Sequence, residues 1–259
     1  MELINDNCDN VLKQFVKENR KFDLVLTDPP YNIGKDFGNN TDMLPLETFL
    51  CQTRQRLELI DKLLNDTGSV LWFCSHRFVG YLQTMMYKIG WQYQRILIWR
   101  YNNGMSRQKK TPISAYEPIL WFTKSDKWTY NADAVRVPYK TERVKSPVYK
   151  KDKDGNKKAW LPNPNGALRD DIFEFPVLAG KLYEQERTKH PTQKPESLIT
   201  ELLKAFAPKG GDVLDPFMGS GTTIVCCNRL GLNGAGIELE REWFDIALQR
   251  VKGDVDNAN

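Results

Sequence analysis

The sequence predicts an α/β fold built around a mainly parallel sheet. Short apolar runs of strand length alternate with segments whose apolar residues recur every three or four positions. Strands that alternate with helices in this way form βαβ units, which produce parallel sheets. The 259 residues suffice for one large α/β domain or two small ones, with about 70–75% of the surface of the unfolded chain buried on folding.

The first half of the chain supplies five of the predicted strands and the helices between them. A strand begins at Leu3, and a helix that Asp9 can cap follows it. A second helix starts at Pro45, a good first helical residue, and ends before Gly68, and a third closes at Gly90. The other strands are predicted at 22–27, 69–74, 92–99 and 117–123.

The regular pattern fades from about 127 to 189, where the sequence is charged and rich in Pro and Asn. Long weakly periodic segments within compact enzymes are usually functional or mobile. Order returns at Pro195, which can open a helix. A strand at 212–214, a glycine loop, a helix, a strand that ends at Glu238 and a last amphipathic helix around Trp243 complete the pattern.

Composition excludes several classes of protein. The sequence has no run of 18 apolar residues and no amino-terminal signal segment, so we expect a cytoplasmic protein without a membrane partner. Five cysteines without CxxC spacing predict neither a disulfide framework nor a zinc ribbon. With two histidines and no HExxH motif, we expect no metal site.

A four-residue run directly follows the predicted strand at 22–27: Asp28-Pro29-Pro30-Tyr31. Active-site groups of open α/β sheets lie beyond the carboxyl ends of the strands. The Asp28 carboxylate and the Pro29 carbonyl can accept hydrogen bonds from a planar amino group, and the Tyr31 ring offers a surface for base stacking. The run therefore suits the exocyclic amine of a nucleobase, although a Pro-Pro turn that only ends the strand remains the simpler alternative.

A glycine loop stands between a predicted strand and helix near the end of the chain: Asp215-Pro216-Phe217-Met218-Gly219-Ser220-Gly221-Thr222-Thr223. Its glycines allow a ligand close to the backbone, and the helix start offers free amide groups. Glu238 follows 23 residues after Asp215, near the offset at which a Rossmann-like acid binds ribose hydroxyls. The loop lacks the lysine of a phosphate-binding P-loop. A ribose-containing cofactor fits, and a tight αβ turn is the alternative.

Positive charge is concentrated in the weakly periodic segment. Residues 136–158 hold nine basic and three acidic residues, whereas the whole chain has a net charge of +4. Such a cluster favours a polyanion partner, because phosphate contacts dominate nucleic-acid affinity. A solvated, flexible loop would explain the charge equally well.

Together, the Asp28–Tyr31 run and the glycine loop resemble the catalytic and cofactor motifs of S-adenosylmethionine-dependent amino methyltransferases acting on DNA. Their order resembles the permuted β group, and 190–195, His-Pro-Thr-Gln-Lys-Pro, resembles that group's cofactor-proximal motif. The resemblance implies a Rossmann-like seven-stranded methyltransferase sheet, circularly permuted, with an inserted target-recognition segment. Residues 1–126 would form the catalytic half, 127–189 the insert and 190–259 the cofactor-binding half.

The resemblance also implies a role for each motif residue. Asp28, Pro29, Pro30 and Tyr31 would be catalytic. S-adenosylmethionine would meet Asn7 and Cys8 at its adenine, Glu238 at its ribose, and Thr192 and Lys194 at its carboxylate. The remaining residues expected around this cofactor are Asp28, Asp215, Pro216, Phe217, Gly219, Ser220, Gly221 and Thr222.

The implied substrate is an amino group of double-stranded DNA. Asp28 favours adenine N6, because Ser more often holds the first motif position in cytosine-N4 enzymes. The base would be flipped out, with the loop 32–41 closing over it. There are three alternatives. The first is cytosine-N4 methylation. The second is methylation of glutamine or RNA guanine, which an Asp at the first motif position disfavours, and the third is a catalytically inactive DNA-binding module, which the intact motifs disfavour.

The weakly periodic segment is expected to contact DNA, although the sequence does not fix the recognition site. The resemblance makes a homodimer plausible, and a cognate restriction endonuclease acting separately is possible. The expected DNA contacts are Arg143, Lys145, Lys150, Lys151, Lys153, Asn163, Asn165 and Arg169.

Overall fold

A computed structural model describes residues 1–38, 42–103, 109–141 and 147–258. Within these ranges, ten strands are present: β1 Glu2–Asn5, β2 Phe22–Thr27, β3 Leu64–Phe73, β4 Gln92–Arg100, β5 Tyr116–Thr123, β6 Val148–Lys151, β7 Lys157–Trp160, β8 Ile172–Glu174, β9 Asp212–Asp215 and β10 Asn233–Glu238. The α-helices are α1 Cys8–Lys17, α2 Leu46–Leu63, α3 Val79–Ile89, α4 Glu196–Phe206, α5 Thr222–Arg229 and α6 Arg241–Ala258.

In the described part of the chain, eight strands form one sheet in the order β1-β10-β9-β2-β3-β5-β4-β8. All seven predicted strands are in it, and the α/β fold is confirmed. The short eighth strand, β8, comes from the weakly periodic segment and pairs in parallel with β4. The sheet is mainly parallel, but β5 runs antiparallel between β3 and β4. The amino end of β5 therefore lies at the same edge as the carboxyl ends of β2 and β3.

Helices cover both faces of the sheet. Because side chains alternate along a strand, Val25 of β2 packs with α1, α2 and α3, while Leu24 and Leu26 pack with α4 and α5. Helix α6 packs against α5 through Ala247 and Val251. Among the described residues, none of the helices combines the length and the apolar character that a membrane crossing requires.

The two ends of the chain meet in this sheet. Strand β1 pairs with β10, and β9 inserts between β10 and β2. The strand before the catalytic run thus lies beside the strand before the glycine loop, with Val25 paired to Leu214. This is the arrangement that a permuted order of motifs requires.

Two local predictions were wrong. Asn7, not Asp9, caps α1, because the Asn7 side chain accepts a hydrogen bond from the Asp9 amide. Helix α2 ends at Leu63, before Gly68 as predicted, but β3 begins at Leu64, ahead of the predicted strand at 69–74, and includes Gly68. A register shift between Phe22 and Leu24 accommodates the early start of β3.

The segment 127–189 is joined to the core at both ends. Val135 and Phe173 of this segment are buried in the hydrophobic core. The Asn131 side chain donates hydrogen bonds to the carbonyls of Lys204 and Ala207 at the end of α4. Between these anchors, β6 and β7 form a separate antiparallel hairpin. The division at 127 and 189 stays a proposal.

Candidate active site

The catalytic run and the glycine loop meet at the carboxyl edge of the sheet. The Thr27 hydroxyl donates to Asp215 Oδ1 over 2.7 Å, although the two residues are 188 positions apart in sequence. Burial raises the pKa of Asp215 to about 6, and hydrogen bonds from Thr223 and Thr27 oppose this rise. Asp215 also accepts the Phe217 amide. It therefore fixes the start of the glycine loop against β2.

A cavity of about 340 Å³ opens beside this junction. Its wall combines aromatic rings with a few polar groups, as small-molecule sites generally do. Eight of the residues predicted to contact the cofactor line it: Asn7, Cys8, Asp28, Thr192, Pro216, Phe217, Gly219 and Glu238. We call this space the cofactor cavity.

Glu238 at the end of β10 is held in place by the backbone. Its Oε2 accepts the Gly219 amide at 3.0 Å, and its Oε1 accepts the Glu240 amide at 2.8 Å. Burial raises the pKa of Glu238, and these two donors oppose the rise. Because a carboxylate has further lone pairs, Glu238 can still accept from two hydroxyl groups of a ribose. The cavity thus offers a preset acceptor where a ribose cofactor needs one.

Five predicted cofactor residues lie outside this cavity: Lys194, Asp215, Ser220, Gly221 and Thr222. Ser220 and Thr222 instead receive hydrogen bonds from the Arg250 guanidinium. Gly221 precedes α5 in the left-handed conformation. Asp215, Ser220, Gly221 and Thr222 therefore shape the glycine loop, whereas Phe217 and Gly219 line the cavity.

Two glycines of the loop are required by geometry. Gly219 has φ +52°, and a Cβ there would lie 2.9 Å from His190 Nε2. Gly221 has φ +78°, and a Cβ there would lie 2.7 Å from the Ala247 Cβ. Both positions combine a positive φ with a close neighbour, so only glycine fits without a shift.

Gly221→Ala is expected to destabilise the fold. Left-handed backbone costs an alanine about 1–2 kcal/mol, and the clash with Ala247 adds about 1–3 kcal/mol. Gly210→Ala is the matched control, because Gly210 has φ +67° but no atom within 4 Å of the position that a Cβ would take. Chemical denaturation checks this, and equal losses in the two variants would contradict the clash.

The cavity wall includes residues to which the sequence analysis gave no individual role. His190 packs edge-on against Trp243 at 5.0 Å and lies 6.1 Å from Phe37. Burial lowers the pKa of His190 to about 4, helped by the charges of Lys194 and Arg250. Its buried Nδ1 has no hydrogen-bond partner among the described residues. The ring is thus neutral, and its buried Nδ1 is an unused polar atom.

The described part of the predicted closing loop, 32–38, is ordered by Asp42, which accepts the amides of Asn32, Ile33 and Lys35. Trp243 Nε1 donates to the Phe37 carbonyl over 3.0 Å. The loop therefore contacts α6 beside the cofactor cavity. Residues 39–41 lie outside the described residues.

Asn7 and Cys8 border the cavity where α1 begins. The Asn7 side chain is occupied as the helix cap. Burial raises the pKa of the Cys8 thiol to about 12, so Cys8 is neutral and apolar in character. The neighbouring Asp9 pairs with Arg56 at 2.8 Å, and the Arg56 guanidinium lies 5.5 Å from the Phe217 ring centre.

Four polar side chains form a cluster at Asp28. Lys194 forms an ion pair with Asp28 and lies 3.3 Å from Glu117 Oε2. The Tyr31 hydroxyl lies 2.5 Å from Asp28 Oδ1 and 2.9 Å from Glu117 Oε2. We call Asp28, Tyr31, Glu117 and Lys194 the acid cluster. Glu117 was not predicted, because only the antiparallel direction of β5 brings it to this edge.

Burial dominates the electrostatics of the acid cluster. It raises the pKa of Asp28, with Lys194 opposing and Glu117 adding to the rise. Burial also raises the pKa of Tyr31 well above its usual value, and both carboxylates add to this. Burial lowers the pKa of Lys194, but the two carboxylates outweigh it and leave a net rise. Lys194, 8% exposed, is therefore an ammonium bound to Asp28, and its contact with the cofactor carboxylate stays a prediction.

A second cavity, of about 370 Å³, also borders Asp28. Phe37, His190 and Thr192 line both cavities, as do Asp28, Pro29 and Tyr31, and we call these last three the shared wall. Trp99 and Glu117 line the second cavity but not the cofactor cavity. Three exposed basic residues also border it: Lys35, Arg187 and Lys189. We call this space the base cavity because a planar amine placed in it would face Asp28.

The predicted DNA contacts divide into three groups. Lys150, Lys151, Lys153 and Asn165 are exposed and Asn163 is half-buried; Arg143 and Lys145 lie outside the described residues. Arg169 is the third group: its guanidinium donates to Glu201 of α4 over 2.9 Å and its side chain is 14% exposed, and its DNA contact stays a prediction. It also lies 5.0 Å from the Phe173 ring centre.

Comparisons with known proteins agree with this geometry. A family model described as DNA methylase matches residues 22–249. Type II methyltransferase M1.MboII of Moraxella bovis is 34% identical over 249 residues, 93% of this chain and 92% of that protein. Type II methyltransferase M.HpaI of Haemophilus parainfluenzae is 30% identical over 250 residues, 95% and 74% of the two chains. DNA adenine methyltransferase YhdJ of Escherichia coli (strain K12) is 31% identical over 230 residues, 88% and 76%.

Solved structures show the same fold. The M1.HpyAVI-SAM complex aligns with a TM-score of 0.67 at 27% identity, covering 96% of this chain and 98% of that one. The cytosine-N4-specific PvuII DNA methyltransferase aligns with a TM-score of 0.72, covering 98% and 89%, but at 14% identity it shows the fold alone. The chain therefore belongs to the DNA methylase family, as an S-adenosylmethionine-dependent DNA amino-methyltransferase.

Proposed function

We propose that this protein transfers a methyl group to N6 of an adenine flipped out of double-stranded DNA. The observation that carries the proposal is the shared wall, because Asp28, Pro29 and Tyr31 line both the cofactor cavity and the base cavity. A base amine held at this wall is next to the methyl donor. Positioning of this kind supplies much of the rate in a transfer reaction.

The chain's own residues supply binding and polarisation. S-adenosylmethionine supplies an already activated methyl group; Glu238, Phe217, Gly219 and Thr192 are proposed to hold it. Asp28 and the Pro29 carbonyl each accept one N–H of the target amine, which favours a tetrahedral nitrogen and stabilises the positive charge that develops there. Pro30 stiffens the turn.

Asp28 can play this part while bound to Lys194 and Tyr31. An ionised carboxylate has about four lone-pair sites, and the two neighbours use one on each oxygen. Tyr31 lines the base cavity with its ring while its hydroxyl points to Asp28. We propose that the flipped base stacks on this ring.

Adenine is favoured over cytosine by two observations. Asp, not Ser, holds the first position of the catalytic run, and a relative named as a DNA adenine methyltransferase is 31% identical over most of both chains. Cytosine-N4 methylation is the alternative, since the same acceptors suit any exocyclic amine.

The product identifies the target. DNA incubated with the protein and labelled cofactor is digested to nucleosides, which are separated by chromatography. We expect label in N6-methyladenine; label in N4-methylcytosine would replace the proposal by its alternative, and no label in DNA would refute both. Mapping modified bases in cells that lack adenine methylation then gives the recognition sequence.

The β6–β7 hairpin is proposed to contact the DNA backbone. Its register sets Lys150 opposite Lys158 and Lys151 opposite Lys157. Like charges directly opposite one another destabilise a strand pair. The exposed rings of Tyr149 and Trp160 lie on the same hairpin. Neighbouring phosphates would relieve the repulsion, which makes a polyanion the natural partner of this surface.

Neutralising Lys150, Lys151 and Lys153 together is expected to weaken DNA binding and its dependence on salt. Each lost phosphate contact lowers the slope of log affinity against log salt by about 1. Lys13, Lys17 and Lys88, exposed on α1 and α3, form the matched control triple. Fluorescence anisotropy over a salt series measures both. A slope that stays unchanged in the hairpin triple would remove the hairpin from the interface.

A homodimer and a separate cognate restriction endonuclease belong to the same proposal. The names of the relatives, type II methyltransferases, support a place in restriction and modification. Light scattering of the purified protein measures its mass, and a monomer at working concentration would exclude the dimer.

A further inference from the structure

The acid cluster holds more negative than positive charge. The Tyr31 hydroxyl lies within hydrogen-bond distance of both Asp28 and Glu117 but has one proton to share between them. Lys194 adds one positive charge against two carboxylates. When both carboxylates are ionised, the cluster therefore carries a surplus negative charge in a buried place.

The other cations that border the base cavity, Lys35, Arg187 and Lys189, are exposed, so water screens their charges from the buried cluster. The titratable groups whose charges or pKa values are coupled to the Glu117 charge are Asp28, Tyr31, Cys74, Tyr101 and Lys194. Burial, with the charges of Glu117 and Asp28 adding to it, raises the pKa of Cys74 to about 12. Burial and the Glu117 charge also raise the pKa of Tyr101. Both stay neutral near pH 7, so the cluster is ready to take up one proton.

The proposed reaction releases one proton. An amine nitrogen that gains a methyl group carries a positive charge until it loses an N–H proton. Resting on the proposed function, we propose that Glu117 is the final acceptor of this proton, which reaches it from Asp28 through the Tyr31 hydroxyl. Glu117 acts through Asp28 and Tyr31, so it is a positioning residue for the charge of Asp28.

The transfer balances in two linked moves. The N–H bond of the amine breaks as a proton goes to Asp28, leaving the nitrogen neutral. That proton then passes to the Tyr31 oxygen while the Tyr31 proton passes to Glu117 Oε2. One N–H bond has broken and one O–H bond has formed on Glu117, while Asp28 is again a carboxylate and Tyr31 a neutral phenol. The 2.5 and 2.9 Å contacts of the Tyr31 hydroxyl are short enough for both transfers.

Glu117→Gln tests this inference, because it keeps the size of the side chain and removes the proton acceptor. We expect single-turnover methyl transfer to fall by about 100-fold, with the cofactor dissociation constant unchanged because Glu117 lies outside the cofactor cavity. The acid limb of the rate profile should move to lower pH, since Asp28 loses the neighbour that raises its pKa. A residue with only a structural role would not move that limb.

A second readout needs neither cofactor nor DNA. The Asp28 carboxyl carbon, followed by NMR in the free protein, should titrate at lower pH in Glu117→Gln than in the parent. Glu242→Gln, on the exposed face of α6, is the matched control and should leave rate and titration unchanged. The inference would be overturned if Glu117→Gln methylated DNA at the rate of the parent protein, or if Asp28 titrated at the same pH in both proteins.

Two further variants keep the test decisive if Glu117→Gln does not fold. Glu117→Asp retains a carboxylate and should recover part of the rate. Tyr31→Phe breaks the path, and adding Glu117→Gln to it should cause no further loss; additive losses would refute a shared path. Failure of the proposed function is distinct, because the parent protein itself would then not methylate DNA while the Asp28 titration still reports on Glu117.

Discussion

Asp28→Asn is expected to lower the rate of methyl transfer by about 1,000-fold. Asparagine keeps the shape of the side chain but loses the charge that stabilises the developing cation, and its amide group offers one acceptor where the carboxylate offers two. One orientation of the amide would also set a donor against the Lys194 ammonium, which contacts Asp28 Oδ2. Single-turnover transfer of labelled methyl to DNA measures the loss.

Cofactor affinity separates this loss from a damaged fold. The contacts that fix Glu238 and the glycine loop do not involve Asp28, so the cofactor dissociation constant should stay close to the parent value. Lys194 keeps Glu117 as a partner at 3.3 Å. Asp66→Asn, an exposed position near the other end of β3, is the control. Retention of the rate to within about tenfold would remove Asp28 from the reaction.

Glu238→Gln is expected to have the largest effect on cofactor binding. A charge-assisted hydrogen bond contributes about 1.5–3 kcal/mol, so losing the carboxylate should raise the dissociation constant by about 10- to 100-fold. Glutamine keeps one carbonyl oxygen for the Gly219 or Glu240 amide, and the loop should therefore stay in place. Titration calorimetry measures the change.

The control for this prediction is Glu242→Gln, which removes the same charge from an exposed position on α6. At saturating cofactor, Glu238→Gln should transfer methyl at nearly the parent rate, because Glu238 does not line the base cavity. An unchanged dissociation constant would exclude Glu238 from the cofactor site. A lost rate at saturation would instead assign it to the reaction.

Local patterns were enough to predict most of the fold. The seven strands and the edge at which Asp28 and Asp215 meet follow from apolar runs and from the rule that parallel strands share a carboxyl edge. Strand β8 was missed because three residues are too few for a periodic pattern. Its pairing with β4, not its own sequence, makes it a strand.

The acid cluster shows what local patterns leave out. Glu117 joins Asp28 only because β5 lies antiparallel between β3 and β4, and strand order is not written in any single segment. The carboxylate partners of Lys194 and Arg169 were not predicted, for a related reason. A buried cation binds the nearest carboxylates, which are Asp28 and Glu201 here, and sequence spacing does not reveal them.

The pairing of β1 with β10 sets the order in which the protein can fold during synthesis. Until residues 212–238 have left the ribosome, the edge of β2 that faces β9 is bare and β1 has no neighbour. The catalytic run is made early, but Glu238 and Trp243 are among the last parts of the cofactor cavity to emerge. A nascent chain without these residues lacks part of the cofactor cavity, so we expect ligand binding to stabilise mainly the finished molecule.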